Sequence, residues 1–194
     1  MTLDCGMDGT HRVLVSRDRI AARVAEMARQ ITADLERGWS GSPADHRVEL
    51  VPVLTGAMVF VADLIRAMPV KMSIRPISVS SYPGVSLSTQ GVTIRGELPT
   101  DLRGRHVLLV DDILDSGRTL GLLRRVFSAQ EPASLRVAVL LRKRKHGGRD
   151  EEVVAEYAGF DIEDEFVVGY GLDYDGLYRN LPDIGVLELN RSAE

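Results

Sequence analysis

Sulfur and long apolar runs are scarce in this chain. Cys5 is the one cysteine among 194 residues. That excludes an intramolecular disulfide framework and a cysteine-rich zinc site, and it fits a reducing, cytoplasmic setting. The longest uncharged apolar stretch, VPVLTGAMVFVA at 51–62, is interrupted by a proline and a glycine. It falls well short of the roughly 20 residues that a membrane-spanning helix needs, so no contact with a bilayer is expected. The N-terminal MTLDCGMDGTHRV carries charge from residue 4 onward and lacks the apolar segment of a signal peptide. There is no surplus of positive charge either: the formal net charge is -4, which gives no support to bulk nucleic-acid binding. Internal repeats, low-complexity tracts and linkers are absent from the sequence.

What remains is the composition of an ordinary soluble protein, 44% hydrophobic and 27% charged. The length predicts one domain over 1–194, with about 1–13 and 188–194 as peripheral tails. From Ser16, a candidate N-cap, the apolar residues Ile20, Val24, Met27, Ile31 and Leu35 recur at helical spacing until Gly38. VELVPVL (48–54) reads as a strand buried on both faces. After Thr55-Gly56 the stretch 57–68 has helical periodicity and stops at Pro69. Residues 72–82 read as extended, with Pro76 as an interruption. HVLLV (106–110) is the next strand, DDILDSGR its loop, and a helix follows from Thr119 to about Gln130. SLRVAVLL (134–141), VVAEYAG and EFVVGYGLDY complete the extended segments. Helices alternating with aliphatic strands predict an α/β fold, a mainly parallel central sheet flanked by helices.

The chemistry concentrates in VLLVDDILDSGRTL (107–120). Ligands of open α/β sheets gather at the carboxyl ends of the strands, where a helix start presents free N–H groups and a positive dipole end. Ser116 and Gly117 let the backbone wrap closely around an anion, and the Ser116 and Thr119 hydroxyls add donors, so 115–119 reads as a monophosphate cradle. Asp111 and Asp112 repel phosphate, but they suit the vicinal hydroxyls of a sugar or a Mg²⁺ ion. A phosphorylated sugar satisfies both halves.

The same stretch resembles the phosphoribosyl-pyrophosphate (PRPP) motif of the type I phosphoribosyltransferases. LVPVLTGAMVFVADL, SSYPG…STQG, LLRKRK and FVVGYGLDYDGLYRNLPDIGVL follow in the order seen in the 6-oxopurine (hypoxanthine-guanine) branch, from about Leu14 to Leu187. The resemblance implies a type I phosphoribosyltransferase fold with a small hood and a mobile loop. It implies Mg²⁺-dependent transfer of a 5-phosphoribosyl group from PRPP to N9 of hypoxanthine or guanine, with release of pyrophosphate. It assigns the PRPP ribose and 5-phosphate to Asp111, Asp112, Asp115, Ser116, Gly117, Arg118 and Thr119, with Asp115 catalytic at purine N7. Pyrophosphate falls to Thr55, Gly56, Ser81, Tyr82 and Arg179. The purine falls to Lys143, donor to O6, to Phe166 stacking on the base, to Val167 and to Asp173. Asp173, Asp111 and Asp112 are the implied metal ligands. The segment 81–91 would be the hood over the substrates, and a homo-oligomer, dimer or tetramer, is implied.

Two positions depart from the branch. Thr55 stands where many relatives carry a basic residue, which limits this loop to backbone contacts with the leaving group; a non-proline cis peptide is expected there. Asp111 replaces a glutamate and is one methylene shorter. Two other readings stay open on sequence: a xanthine-preferring phosphoribosyltransferase, and a non-catalytic regulator that senses PRPP. Arg142, Arg144, Lys145 and Arg149 read as a solvated basic turn.

Overall fold

The computed structural model describes residues 9–38, 47–80, 93–95, 97–145 and 147–189. Its centre is a sheet in the order β5-β4-β2-β6-β7-β8, with β3 paired to β2. These strands are β2 (Val48–Leu54), β3 (Met72–Ile74), β4 (Ile77–Ser80), β5 (Thr93–Arg95), β6 (His106–Leu114), β7 (Ser134–Lys143) and β8 (Tyr157–Ile162). Every pairing is parallel except β4 with β5. Among the described residues three helices accompany them: α1 (Arg17–Gly38), α2 (Met58–Arg66) and α3 (Arg118–Ser128).

Alternation along the strands explains the layering, since successive side chains point to opposite faces. Leu108 and Val110 of β6, with Ala138 and Leu140 of β7, pack with Ile20, Met27 and Ile31 of α1 and with Phe60 and Leu64 of α2. Val107, Leu109, Val137 and Val139 face the other way, towards Leu120, Leu123 and Phe127 of α3. A helix-clad parallel sheet must be apolar on both faces, which is why these strands read as continuous aliphatic runs. The predicted α/β architecture is the observed one.

The differences are local. α1 begins after Ser16, whose carbonyl accepts the Ile20 N–H at 2.9 Å as expected of an N-cap, and the remote Asp183 carboxylate accepts from Arg17 N at 2.7 Å, where a negative group suits the helix dipole. β6 does not stop at Val110. It continues through Asp111 and Asp112 to Leu114 because β7 keeps pairing with it, Asp111 opposite Val139 and Leu114 opposite Arg142. β8 starts only at Tyr157. The preceding Glu156 is drawn aside, accepting from Val137 N at 2.8 Å and pairing with Arg124 at 2.8 Å. EFVVGYGLDY is extended only at β9 (Val167–Val168); Gly169, Tyr170 and Gly171, all at positive φ, then turn the chain.

Residues 9–13 are not a peripheral tail. β1 (Gly9–Val15) pairs antiparallel with β10 (Ile184–Leu189), which pairs with β9, in a separate three-stranded sheet. A charged network closes the amino-terminal end of the main sheet. Glu49, 1% exposed, meets Arg75 at 2.6 Å and Arg105 at 3.1 Å, and both arginines also reach Asp101.

Candidate active site

The carboxyl ends of β2 and β6 and the start of α3 enclose a cleft of about 550 Å³. Its walls carry Thr55 and Gly56 after β2, then Asp111, Asp112, Asp115, Ser116, Gly117 and Thr119, with Asp173 and Arg179 from the turn between β9 and β10. Residues far apart in sequence meet here because parallel strands point their carboxyl ends the same way.

Asp111 and Asp112 are adjacent on β6 and both deeply placed. Burial pushes the Asp111 carboxyl well above the ordinary range, and the neighbouring Asp112 charge adds to it. Burial also raises Asp112, against the opposing pull of Arg179. The Asp111 Oδ1 accepts the Asp112 N–H at 3.0 Å. Asp112 lies directly under the Thr55-Gly56 turn: a Cβ on Gly56 would be 1.7 Å from Asp112 Oδ2. The expected non-proline cis peptide is present, between Leu54 and Thr55.

The loop into α3 is shaped for an anion. Gly117 is the N-cap, with φ +84° and no side-chain cap on the helix. The Ser116 Oγ is 3.5 Å from Arg118 N, the outer limit of a hydrogen bond. The first turn therefore points its N–H groups and positive dipole end at the cleft without an anionic cap of its own. The far side of the loop is sealed by Glu151: its N–H donates to Ser116 O at 3.1 Å, and its carbonyl would lie 2.0 Å from a Cβ on Gly117. Arg118 is exposed and pairs with Asp150 at 3.1 Å, outside the cleft lining.

At the other end of this loop, Asp115 meets two ammonium groups. Lys143 Nζ, at the end of β7, is 3.1 Å from Asp115 Oδ2, and Lys145 Nζ is 2.6 Å from Oδ1. Partial burial pushes Asp115 up, but the hydrogen bonds and charges of Lys145 and Lys143 outweigh it and hold the carboxyl below its ordinary range. Asp164 stands behind, 3.4 Å from Lys143 and 2.8 Å from Lys145.

The basic turn is solvated only in part: Arg144 is exposed, as expected, and Arg142 partly so, but Lys145 is turned inward and all three have acidic partners. Arg142 pairs with Asp161 at 2.6 Å, Arg144 with Glu163 at 3.1 Å and Lys145 with Asp164 at 2.8 Å, while Arg149 donates to the Lys143 carbonyl. Lys145 and Asp164 are the site residues that sequence reasoning missed. A basic run and an acidic run are both visible in the sequence, but the register that sets them opposite each other is not.

Phe166 is 48% exposed and edge-to-face with Tyr174 at 5.6 Å between ring centroids; it is not among the residues that line the cleft. Val167 is buried in β9, opposite Val186. Asp173 accepts Gly176 N–H at 2.8 Å and pairs with Arg179 at 2.7 Å. Arg179 also donates to Gly171 O at 2.7 Å, and a Cβ on Gly171 would be 2.2 Å from Gly56 O. The turn that carries Asp173 and Arg179 is thus packed directly on the loop after β2. Ser81 and Tyr82, with the expected hood, lie outside the described residues.

A phosphoribosyl transferase domain model matches residues 15–175. A hypoxanthine-guanine phosphoribosyltransferase of Mycobacterium avium is 45% identical over 177 residues, covering 91% of this chain and 85% of that protein. A hypoxanthine phosphoribosyltransferase of Escherichia coli K12 is 43% identical over 179 residues, covering 92% and 96%. The solved structure of the Trypanosoma cruzi hypoxanthine phosphoribosyltransferase in complex with the product IMP superposes with a TM-score of 0.80 at 39% identity, covering 91% of this chain and 93% of that one.

Proposed function

This chain belongs to the phosphoribosyl transferase family, and we propose that it serves purine salvage, transferring the 5-phosphoribosyl group of PRPP to N9 of hypoxanthine or guanine. The observation that carries the base specificity is the Asp115–Lys143 pair, 3.1 Å apart at the mouth of the phosphate loop. A carboxylate acceptor and an ammonium donor held side by side complement the N7–H and O6 of a 6-oxopurine. An adenine would set its 6-amino donor against the lysine donor.

Around that pair the residues divide the substrate between them. The start of α3 supports a 5-phosphate role for 115–119, and the deep acid pair Asp111-Asp112 suits the ribose hydroxyls. Backbone at Thr55-Gly56 and the Arg179 guanidinium suit the pyrophosphate. As that group leaves, the ribosyl centre gains positive charge, so donors that hold the departing anion lower the barrier most. Asp115 is the proton acceptor at N7, with Lys143 at O6, Phe166 and Val167 against the base and Asp173 at its edge.

The family's divalent metal requirement fits the donors present. No cluster of three or more ligating side chains occurs among the described residues, but Mg²⁺ commonly takes one or two carboxylates and completes its shell with water and substrate phosphates. Two buried adjacent carboxyls that resist ionisation are a place where a cation is favoured. We assign Mg²⁺ to Asp111-Asp112 on the ribose side and to Asp173 on the pyrophosphate side, as separate positions of one or two carboxylates completed by PRPP oxygens and water. Bound there, it would neutralise charge building on the leaving pyrophosphate.

No described helix is long and apolar enough to cross a membrane. We place the enzyme in the cytoplasm as a homo-oligomer, dimer or tetramer, which light scattering after gel filtration tests. The decisive assay offers hypoxanthine, guanine, xanthine and adenine with PRPP and Mg²⁺ and follows pyrophosphate release. Hypoxanthine and guanine should turn over and adenine should not. Silence with every 6-oxopurine would end the enzymatic reading, and a clear preference for xanthine would reassign the acceptor.

A further inference from the structure

Asp115, Lys143, Asp164 and Lys145 form a closed ring of alternating charge, with edges of 3.1, 3.4, 2.8 and 2.6 Å in that order. The two ammonium groups are the better shielded members: their side chains are 11% and 22% exposed, against 42% and 45% for the acids. Lys145 is delivered to the ring by the sheet. Arg144 N donates to Ile162 O at 2.8 Å, and the Arg142–Asp161 and Arg144–Glu163 pairs hold 142–145 against 161–164 in one register.

A lone Asp115–Lys143 pair would make a poor receiver for a base. The two groups satisfy each other, and separating them to admit N7–H and O6 would leave both without an opposite charge in a half-buried site. The ring removes that cost. When the Asp115–Lys143 edge opens, Asp115 keeps Lys145 on Oδ1 and Lys143 keeps Asp164, so Oδ2 and the Lys143 ammonium are both free to turn to the base.

We propose that Lys145, held by Asp164, is a positioning residue for the transfer reaction: it occupies Oδ1 of Asp115 and frees Oδ2 and Lys143 for the purine. This role rests on the reading of Asp115 as the acceptor at the base. The charged groups that face Asp115 are Lys143 and Lys145 from the end of β7, with Asp164 behind them from the connection after β8. Asp111, Asp112, Asp173 and Arg179 line the same cleft.

The test is the pH profile of kcat/KM for hypoxanthine, at saturating PRPP and Mg²⁺, in the full-length enzyme and four variants. Lys145 favours the ionised form of Asp115, so Lys145→Gln should move the acid limb to higher pH and raise KM for hypoxanthine more than it lowers kcat. Lys145→Arg keeps the charge and should return the limb towards its wild-type position. Asp164→Asn leaves both lysines with Asp115 as their remaining acid in the ring, so its limb should move the opposite way, to lower pH. A residue that merely supports the fold would lower activity alike at every pH, and that outcome, or an unmoved limb in Lys145→Gln, overturns the proposal. Asp115→Asn separates the two readings. If it keeps wild-type turnover, the Asp115 assignment falls and the Lys145 role with it. If it abolishes the limb while Lys145→Gln leaves the limb in place, only the Lys145 role falls.

Discussion

Gly56→Ala is the smallest change that reaches the centre of the cleft. An ideal Cβ at this position would lie 1.7 Å from Asp112 Oδ2 and 2.6 Å from its Cγ, whereas carbon contacts settle at about 3.5 to 4.0 Å. One of the two must therefore give way by something over an ångström. The loop has little freedom to lift, because its own carbonyl is already packed against Gly171, where a Cβ would be 2.2 Å from Gly56 O. The Asp112 carboxylate is the partner that moves, away from the position assigned to the ribose and metal. Displacement of a substrate-positioning group by about 1 Å costs on the order of 100-fold, so kcat/KM for PRPP should fall by about that factor. Overpacking of this kind costs about 1 to 3 kcal/mol, equivalent to about 2 to 12 °C in Tm for a chain of this size. Thermal unfolding supplies the cause independently of activity. In an Asp112→Ala background the clashing atoms are gone, and the penalty of Gly56→Ala should shrink by about 1 kcal/mol or more. Strictly additive losses in the double variant would refute the assigned contact.

Three further expectations follow from the same geometry. Glu49→Gln should destabilise the fold without disabling the cleft, since Glu49 sits at the opposite end of β2. Burial raises its carboxyl, but the hydrogen bond and charge of Arg75, with Ser73 and Arg105, outweigh burial and hold it below its ordinary value. A lowered folded pKa contributes stability above the unfolded pKa and loses it as pH falls through the folded one. The Tm gap between wild type and Glu49→Gln should thus be full at pH 7 and close towards acid, and a gap independent of pH would contradict the ion pairs. Gly117→Ala sets a Cβ 2.0 Å from Glu151 O at φ +84°, so it should raise KM for PRPP severalfold more than KM for hypoxanthine in steady-state assays. Lys143→Met removes a charged donor worth about 1.5 to 3 kcal/mol; kcat/KM for hypoxanthine should fall about 10- to 100-fold, and an unchanged preference over adenine would take Lys143 away from O6.

Much of the fold was legible because a parallel sheet clad on both sides leaves a plain record: uninterrupted aliphatic strands alternating with amphipathic helices. VELVPVL is β2 residue for residue, and α1 ends at the predicted Gly38. The misreadings share one physical origin. β6 runs on through two aspartates because β7 supplies its hydrogen bonds, and no local propensity signals that. β1 pairs with β10 from the other end of the chain, and β10 in turn with β9, so neither end looks ordered when read alone. Tertiary pairing overrode local composition in each case.

The site shows the same division more sharply. Residues whose role depends on backbone shape could be located from type and spacing, since a Ser-Gly pair between a strand and a helix has few other uses: Gly117 does adopt the left-handed conformation at the start of α3. Residues whose role depends on which charge stands opposite could not. Lys145 and Arg144 are neighbours in one basic run, yet Arg144 pairs outward with Glu163 while Lys145 reaches the acid in the cleft. Alternation along an extended chain sends neighbouring side chains to opposite faces, so a single step in sequence separates a solvent-side ion pair from a group that touches Asp115. Which step faces inward is fixed by the register of β7 on β6 and β8. Electrostatic control of Asp115 is for that reason a property of the assembled sheet and not of the motif that announces it.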